Sequence, residues 1–427
     1  MLLITTIISF IIVFGLLVIV HEFGHFIVAK KSGIMVREFS IGMGPKIFYY
    51  RKNNTTYTWR LLPLGGYVRM AGSADNESQE IKPGTPISLK FNSDNNEVIS
   101  INTSHKQTLF NGVPLTVTKA DLEKDLFIEG FENADESEKK TFKVNHDATI
   151  IEEDGTEVQI APEDVQFQNA PLFRRILTNF AGVFNNVLLA IVAFTVVSFM
   201  QGGVSSYTNK VNLASNDSIA AKAGLQNNDK ILKINDAKVN NWYDLTKQIQ
   251  AKPNQKIALD VERNNQSRKI NLKTGSSEYN NKKVGVIGIT QTTDNSFTAK
   301  ITSGFTQTWR MTTTLVSALY YMIVGHFSLN DLGGPVAIFA STSQAAKLGV
   351  LGVVNLLAFL SINLAIMNLI PIPALDGGKI LLNIIEAIRR KPVSEKVETI
   401  ITVVGAVFLL ILMLLVTFND IQRYFIR

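Results

Sequence analysis

The stretch IVFGLLVIVHEFGHFIVAK, residues 12–30, determines how the rest of the chain is interpreted. It is almost wholly apolar and, at about 20 residues, is long enough to cross the hydrocarbon core of a membrane as a helix. His21, Glu22 and His25 nevertheless lie inside it. Each ionisable side chain at the centre of a membrane helix costs on the order of 2.5–3.5 kcal/mol, so a cluster of three indicates a functional site.

The spacing of these three residues fits zinc chemistry. Residues four positions apart on a helix share a face, so His21 and His25 can bind one metal ion. Glu22 can then reach a metal-bound water and act as general base, which is the HExxH arrangement of zinc proteases. The alternatives are a chance match to a short motif and a salt-bridge or proton-relay role, and the apolar surroundings favour zinc.

Composition supports a membrane protein. The chain has 427 residues, of which 46% are hydrophobic and 18% are charged, whereas soluble domains carry about 25% charged residues. It contains no cysteine, which excludes disulfides, a cysteine nucleophile and thiolate metal ligands. The net charge of +6 comes with Lys and Arg that border apolar runs, so it indicates contact with the lipid bilayer and no nucleic-acid partner.

Four apolar runs are long enough to span a membrane, and the sequence therefore predicts an α-helical multi-pass protein with about four transmembrane helices. A fifth run, residues 311–325, is shorter and contains Thr and Tyr, which predicts an interfacial helix. The first run has no positive residue before it and no small-residue cleavage site after it, so we do not expect a cleaved signal peptide. The four runs are residues 2–29, 176–200, 350–370 and 400–418.

Lys and Arg clusters predict the orientation. The clusters at residues 30–37, 174–175 and 389–396 fall on one side if the N-terminus is outside, and that side is the cytoplasm. Arg423 and Arg427 would then lie outside, against the rule. The protein is thus predicted to reside in the bacterial cell membrane with its active site toward the cytoplasm.

Two soluble regions follow from this topology. Residues 73–170 hold 20 Asp and Glu against 8 Lys and would form an acidic cytoplasmic insert. Residues 201–347 would lie outside, and they begin with short Ile and Val runs broken by Asn-Asp and Asn-Asn, which predicts strands and turns.

The segment KIFYYRKNNTTYTWRLLPLGGYV, residues 46–68, predicts a β-hairpin with its turn at Asn53-Asn54. A sheet edge is tolerated at membrane depth only when it is buried in protein or lines a cavity. The hairpin should therefore pack against the helices and re-enter the membrane from the cytoplasmic side.

A catalytic zinc needs a third protein ligand. His105, His146 and His326 lie in predicted soluble or interfacial segments, whereas Asp376 ends an apolar run that Pro371 and Pro373 interrupt. Broken backbone at membrane depth is tolerated where it lines a cavity. The alternative is an ordinary Asp-Gly-Gly turn at the membrane surface, and the presence of HEFGH favours a ligand.

HEFGH in a first span, together with NLIPIPALDGG at residues 368–378 and IGMGPKIF at residues 41–48, resembles the site-2 protease family of intramembrane zinc metalloproteases, bacterial RseP type. The single outer region resembles the Gram-positive members. SIAAKAGLQNNDKILKINDAKVNNWYDLTKQI, from residue 218, resembles a bacterial PDZ core, and VGVIGI at residues 284–289 is either its peptide-binding loop or a plain buried strand.

The resemblance implies a zinc cofactor held by His21, His25 and Asp376, with Glu22 as base. It implies substrate-binding roles for a further set of residues: Asn363, Asn368, Gly288 and Ile289.

A second-span GPxxN pattern of the family is matched only in part at Gly182 to Asn186, because Val183 replaces the proline. A helix–helix hydrogen bond is the alternative role for Asn186.

The implied activity is regulated intramembrane proteolysis of single-span membrane proteins, such as anti-sigma factors trimmed by an upstream site-1 protease and remnant signal peptides. An alternative is a non-enzymatic PDZ membrane adaptor or chaperone; a metal or proton transporter would need polar residues in several spans at matching depth.

The predicted parts are 1–30 first span, 31–72 re-entrant hairpin, 73–173 acidic insert, 174–200 second span, 201–292 extracytoplasmic PDZ domain (α+β), 293–349 interfacial helices, 350–388 third span, and 389–427 cytoplasmic loop with fourth span.

Overall fold

The computed structural model divides into two compact units, residues 1–193 with 308–427 and residues 194–307. The described residues are 2–72, 81–93, 96–104, 111–133, 138–151, 157–279, 282–325 and 328–426.

Helices account for the predicted spans. Four helices in the described ranges are long and apolar enough to cross a membrane, which is the number predicted: Leu2–Lys31, Leu172–Met200, Gly349–Leu369 and Lys396–Tyr424. The helices are α1 (Leu2–Lys31), α2 (Leu172–Met200), α3 (Ile219–Lys222), α4 (Trp242–Gln250), α5 (Phe297–Ile323), α6 (Pro335–Lys347), α7 (Gly349–Leu369), α8 (Asp376–Arg389) and α9 (Glu395–Ile421). The predicted interfacial run thus lies in α5, which begins 14 residues earlier than residue 311.

The segment predicted as one third span, residues 350–388, forms two helices instead. α7 ends at Leu369 and α8 begins at Asp376. Pro371 and Pro373 lie between them, and each lacks the N–H that would continue the α7 ladder. Ala374 completes the break with φ of 80°, a left-handed conformation that is unfavourable for a residue with a side chain.

The predicted hairpin is present as β1 (Val36–Lys52) and β2 (Thr55–Met70). Asn53 and Asn54 both have positive φ, 49° and 61°, as a two-residue type I′ turn requires. Both strands bend, so that residues 38–41 of β1 lie between two segments of β2, residues 56–59 and residues 66–69. In this pairing, residues 66–70 form an edge of the small sheet.

Aromatic packing holds this sheet against α1. The Phe26 ring of α1 lies 5.3 Å from the ring of Phe39 and 5.9 Å from that of Tyr57. Val68 packs in the same cluster as buried Ala29 of α1. The hairpin therefore sits beside the half of α1 that carries the HEFGH motif.

The acidic insert contains a closed β-barrel, which the sequence analysis does not predict. Its strands are β3 (Pro86–Phe91), β4 (Val98–Asn102), β5 (Val113–Asp121), β6 (Phe127–Glu132), β7 (Lys139–Ile151) and β8 (Glu157–Gln159). They pair in the order β4-β3-β5-β6-β7-β8, and an additional β4–β7 pairing closes five of them into a ring. Buried Leu89, Ile101, Leu115 and Ile128 fill its core.

The barrel is joined to the hairpin through main-chain acceptors. Arg51 donates to the carbonyl of Glu157 (2.6 Å), and Arg37 donates to that of Gln159 (3.0 Å). The Met35 N–H also donates to the carbonyl of Val165 (2.9 Å). Both arginines thus end on β8, at the open side of the strand order.

The second unit, residues 194–307, contains both strands and helices and includes residues 201–292. Its strands are β9 (Val204–Ser205), β10 (Lys210–Leu213), β11 (Asp229–Ile234), β12 (Ala237–Lys238), β13 (Lys256–Arg263), β14 (Gln266–Lys273), β15 (Gly275–Tyr279), β16 (Lys282–Val286), β17 (Ile289–Gln291) and β18 (Thr293–Asp294). The main sheet has the order β14-β13-β11-β10-β17, with β12 paired to β11, and separate pairs join β15 to β16 and β9 to β18.

The predicted peptide-binding pair lies at the edge of that sheet. Ile289 opens β17, which pairs with β10. Gly288 precedes it with φ of 76°, and a Cβ there would lie 2.6 Å from Cβ of Ser218. Glycine is therefore required at residue 288 by both the backbone conformation and the space available.

A buried carboxylate links the end of α9 to the start of α6. Asp420, near the end of α9, accepts hydrogen bonds from the N–H groups of Gly334 (3.0 Å) and Ala337 (2.9 Å) at the start of α6. An anion at a helix N-terminus is favourable because it meets unpaired N–H groups. At the same end, the Phe10 ring of α1 lies 5.9 Å from that of Phe339 in α6.

Candidate metal centre and active site

The three predicted metal ligands converge in the structure. Nε2 of His21 lies 3.2 Å from Nε2 of His25. Oδ2 of Asp376 lies 3.2 Å from the first of these nitrogens and 3.3 Å from the second. Among the described residues, this is the group of His, Asp and Glu side chains placed to hold one metal ion, and all three are buried.

The triangle has the dimensions of a zinc site. A tetrahedral zinc with Zn–N bonds of 2.0–2.1 Å has its ligand atoms about 3.3–3.4 Å apart, since a tetrahedron edge is about 1.63 times the bond length. Oδ2 of Asp376 is also buried without a hydrogen bond, although it lies near two imidazole nitrogens. Three lone pairs facing one another need a cation between them, so the residues fit zinc.

The second ring nitrogen of each histidine, Nδ1, has a contact that is suited to a metal-binding imidazole. Nδ1 of His25 donates to the carbonyl of Thr178 (2.7 Å), which leaves Nε2 of the neutral ring free to bind metal. Nδ1 of His21 contacts the side-chain amide of Asn186 at 3.1 Å, and Oδ1 of that amide is buried without a partner. Turning the amide would let Oδ1 accept the Nδ1 proton of a metal-bound His21.

The sequence analysis does not predict the role of Gly182. The only sequence signal for this residue is its place in the partly matched GPxxN pattern. A Cβ built on Gly182 would lie 2.4 Å from Nε2 of His25 and 2.8 Å from Nε2 of His21. Both are the nitrogens that would bind zinc. α2 therefore needs a residue without a side chain at this point, and Asn186 one turn later contacts a ligand as well as bridging helices.

A cavity of about 350 Å³ opens beside the three ligands. Its walls come from α1, β2, α2, α7, the loop before α8, and α8 itself. The lining residues are His21, Glu22, His25, Gly66, Tyr67, Val68, Met70, Asn179, Asn368, Ala374, Asp376 and Lys379.

The two asparagines that were predicted to bind substrate differ in whether they line the cavity. Asn368 borders the cavity, and its amide donates to the carbonyl of Leu364 (3.0 Å). Asn363 is not among the lining residues, and its amide donates to the carbonyl of Phe359 (3.0 Å) on its own helix. Asn179 and Lys379 also line the cavity, and the sequence analysis did not single them out.

The other histidines stand apart from this centre. His146 lies on β7 and contacts the carboxylates of Asp147 and Asp164, each at 3.1 Å. His105 and His326 lie outside the described residues.

An ionic network shapes the cavity wall contributed by the hairpin. Arg60 donates to Glu38 (3.0 Å), to the hydroxyl of Tyr67 (2.6 Å) and to the carbonyl of Gly44 (2.7 Å). Burial opposes ionisation of Glu38, but hydrogen bonds from Thr58, Tyr67 and Arg60 outweigh it and hold the pKa of this carboxyl below its usual range. The network fixes the bend after which residues 66–70 pass the metal ligands.

A buried ion pair joins two helices that carry parts of the site. Arg175 of α2 lies 2.6 Å from the carboxylate of Glu386 in α8, and both side chains are largely buried. Asp376 opens α8, so this pair helps to set where the third ligand stands relative to α2.

Comparison with known proteins agrees with this geometry. The model of peptidase family M50 matches residues 9–412, and the chain belongs to this family. It is 51% identical over 422 residues to "Probable protease eep" of Enterococcus faecalis, covering 98% of this chain and 99% of the relative. It is 49% identical over 425 residues to "Putative zinc metalloprotease SPs1691" of Streptococcus pyogenes serotype M3, again covering 98% and 99%.

The protein is therefore a zinc metalloendopeptidase associated with the membrane. His21, His25 and Asp376 would hold the zinc ion, which would supply a Lewis acid that polarises a carbonyl and lowers the pKa of a water toward about 7. Glu22 is the carboxylate of the cavity that is not part of the ligand triangle, and it neighbours His21 in sequence. It can accept the proton of the attacking water and return it to the leaving amine.

Proposed function

We propose that this peptidase cuts membrane-spanning segments within the bilayer, near their cytoplasmic ends. The observation that carries the proposal is the position of the chemistry: two ligands and Glu22 lie inside α1, one of the helices suited to cross a membrane. Ionisable groups are costly at that depth and are retained there for function.

Residues 66–70 provide a place for the substrate. They form an edge of the hairpin sheet, and all of them except Arg69 line the cavity beside the ligands and Glu22. A helical substrate must unwind before hydrolysis, and its freed main chain can pair with such an edge as an added strand. Asn368, at the same cavity, can meet backbone groups that unwinding would leave unpaired in a dry site.

The substrates that fit are single-span proteins whose outer parts have been removed. We include anti-sigma factors trimmed by an upstream site-1 protease and remnant signal peptides. In this scheme residues 201–292 are an extracytoplasmic PDZ domain that excludes large outer domains or binds a new terminus at Gly288 and Ile289. Such selection is a difference between affinities, and steric rejection is sufficient to produce it.

A non-enzymatic PDZ adaptor or chaperone, the alternative left open by the sequence, does not agree with the match to peptidase family M50. An adaptor has no use for three buried lone pairs held at the spacing of a tetrahedral metal site, because burying unpaired polar groups destabilises a fold. We therefore favour the protease.

The test is cleavage of a signal-peptide library by the purified protein in lipid, with and without a zinc chelator. Glu22→Gln should abolish cleavage while zinc stays bound, and Asp376→Ala should lose both zinc and cleavage. Cleavage of soluble unfolded peptides but of no membrane-spanning peptide would refute the intramembrane assignment and leave the peptidase intact. Normal cleavage by Glu22→Gln would refute the role of Glu22 as base.

A further inference from the structure

One buried donor in the active-site cavity has no partner. Asn179 lines the cavity and is only 4% exposed, yet its Nδ2 finds no hydrogen-bond acceptor among the described residues. A buried donor without a partner costs about 1–3 kcal/mol. Asn179 follows Thr178, whose carbonyl orients His25, so the amide is carried on the stretch of α2 that contacts the metal ligands.

The same cavity holds a single cationic side chain. Lys379 is the one Lys or Arg among its lining residues. It lies one helical turn beyond Asp376 in α8 and lines the same cavity as Glu22, but it is exposed, whereas Asn179 is buried. With zinc bound, the formal charges of the ion, Asp376 and Glu22 sum to zero, so Lys379 adds a positive charge that the resting site does not need.

We propose that Asn179 and Lys379 bind the oxygen of the scissile carbonyl and stabilise the negative charge that develops on it. The water oxygen bonds to the carbonyl carbon, its proton passes to Glu22, and the C=O electron pair moves onto the carbonyl oxygen. When that oxyanion collapses, the C–N bond breaks and Glu22 returns the proton to the leaving nitrogen. The Nδ2–H of Asn179 and the ammonium of Lys379 meet the charge while it exists.

This arrangement explains why the donor is left unpaired in the resting enzyme. A hydrogen-bond donor accelerates a reaction only when it binds the transition state more strongly than the ground state. A donor held in place by the fold, without a competing acceptor among the described residues, meets that condition without reorganisation. The assignment concerns peptide hydrolysis itself and holds for membrane-spanning and soluble peptides alike.

The chain offers a matched control. Asn383 of α8 is 6% exposed and its Nδ2 is also buried without a partner, but it does not line the cavity. Asn179→Leu and Asn383→Leu therefore remove the same chemical group from equally buried sites. Lys379→Met and Lys379→Arg separate loss of the charge from a change of side chain.

The experiment measures kcat, KM, zinc content and binding of a peptide phosphinate, a tetrahedral anion that mimics the transition state. Asn179→Leu should lower kcat about 10²–10³-fold with zinc content and KM unchanged, and should weaken phosphinate binding in parallel. Asn383→Leu should leave all four unchanged. Lys379→Met should act like Asn179→Leu, and Lys379→Arg should retain most of the activity.

Three results would overturn the proposal. One is a kcat for Asn179→Leu within about threefold of the Asn383→Leu value, far short of the loss of an oxyanion donor. Another is loss of zinc in step with activity, which would make Asn179 a structural residue. The third is unchanged phosphinate affinity in Lys379→Met. If Asn179→Leu fails to fold, Asn179→Ser and the Lys379 pair give the same readouts.

Discussion

Gly182→Ala should remove zinc from the enzyme without unfolding it. The added Cβ would lie 2.4 Å from Nε2 of His25, and an ordinary van der Waals contact is 3.4–4 Å. The imidazole or α2 must therefore move by about 1 Å, whereas metal sites tolerate ligand shifts of about 0.2 Å. Changes that only disturb the support of a ligand cost about 10–100-fold in affinity, so displacing the ligand atom should cost at least about 100-fold.

The assay is zinc content after dialysis against a graded series of chelator concentrations, with thermal unfolding measured in parallel. Gly15→Ala is the control, because Gly15 lies in α1 and a Cβ there would meet nothing within 4 Å. It carries the same chemical change in another membrane-helix candidate and should keep wild-type zinc affinity. If Gly182→Ala retains zinc as tightly as Gly15→Ala, zinc does not lie between Nε2 of His21 and Nε2 of His25.

Two further predictions concern the soluble parts. A single cysteine at exposed Lys90 should react with a membrane-impermeant reagent only in broken cells, and one at exposed Lys269 should react in intact cells; the opposite pattern would reverse the topology. Burial opposes the charge on His146, but the carboxylates of Asp147 and Asp164 outweigh it and raise the pKa of this imidazole. The stabilisation is thus full below pH 6.5, the usual His value, and is lost as pH rises through the folded-state pKa. Asp164→Asn should lower the pKa of His146 in an NMR titration, and an unchanged value would show that this pair is not formed in solution.

The parts of the site that sequence predicts are those encoded by short-range spacing. His21 and His25 share a helix face by their separation alone, and Asn53-Asn54 carries the chemistry of its turn. Asp376 is further away, but the two prolines before it mark where a helix must break. In each case the residue type and its immediate neighbours determine the local geometry.

The rest depends on contacts between distant segments. Gly182 and Asn179 are unremarkable on an apolar helix until the face of α2 that meets α1 is known. The barrel in the acidic insert depends on pairing between β4 and β7, which are separated by three strands in the sheet order and by two strands along the chain. The apolar core forms only when the sheet closes. In the sequence, charged segments between the short strands interrupt the apolar pattern, so the core is not predicted.

The hydrogen bonds between barrel and hairpin determine which residues of the barrel can be replaced without loss of these contacts. Arg37 and Arg51 donate hydrogen bonds to main-chain carbonyl oxygens of β8, and every amino acid supplies such an oxygen. Neither of these two hydrogen bonds uses an acidic side chain of the insert. Replacing Glu157 with a neutral residue would keep both hydrogen bonds, whereas removing β8 would remove both and leave the hydrogen bond from Met35 to Val165. Side chains on the outer surface of the barrel can therefore change while these two main-chain hydrogen bonds stay the same.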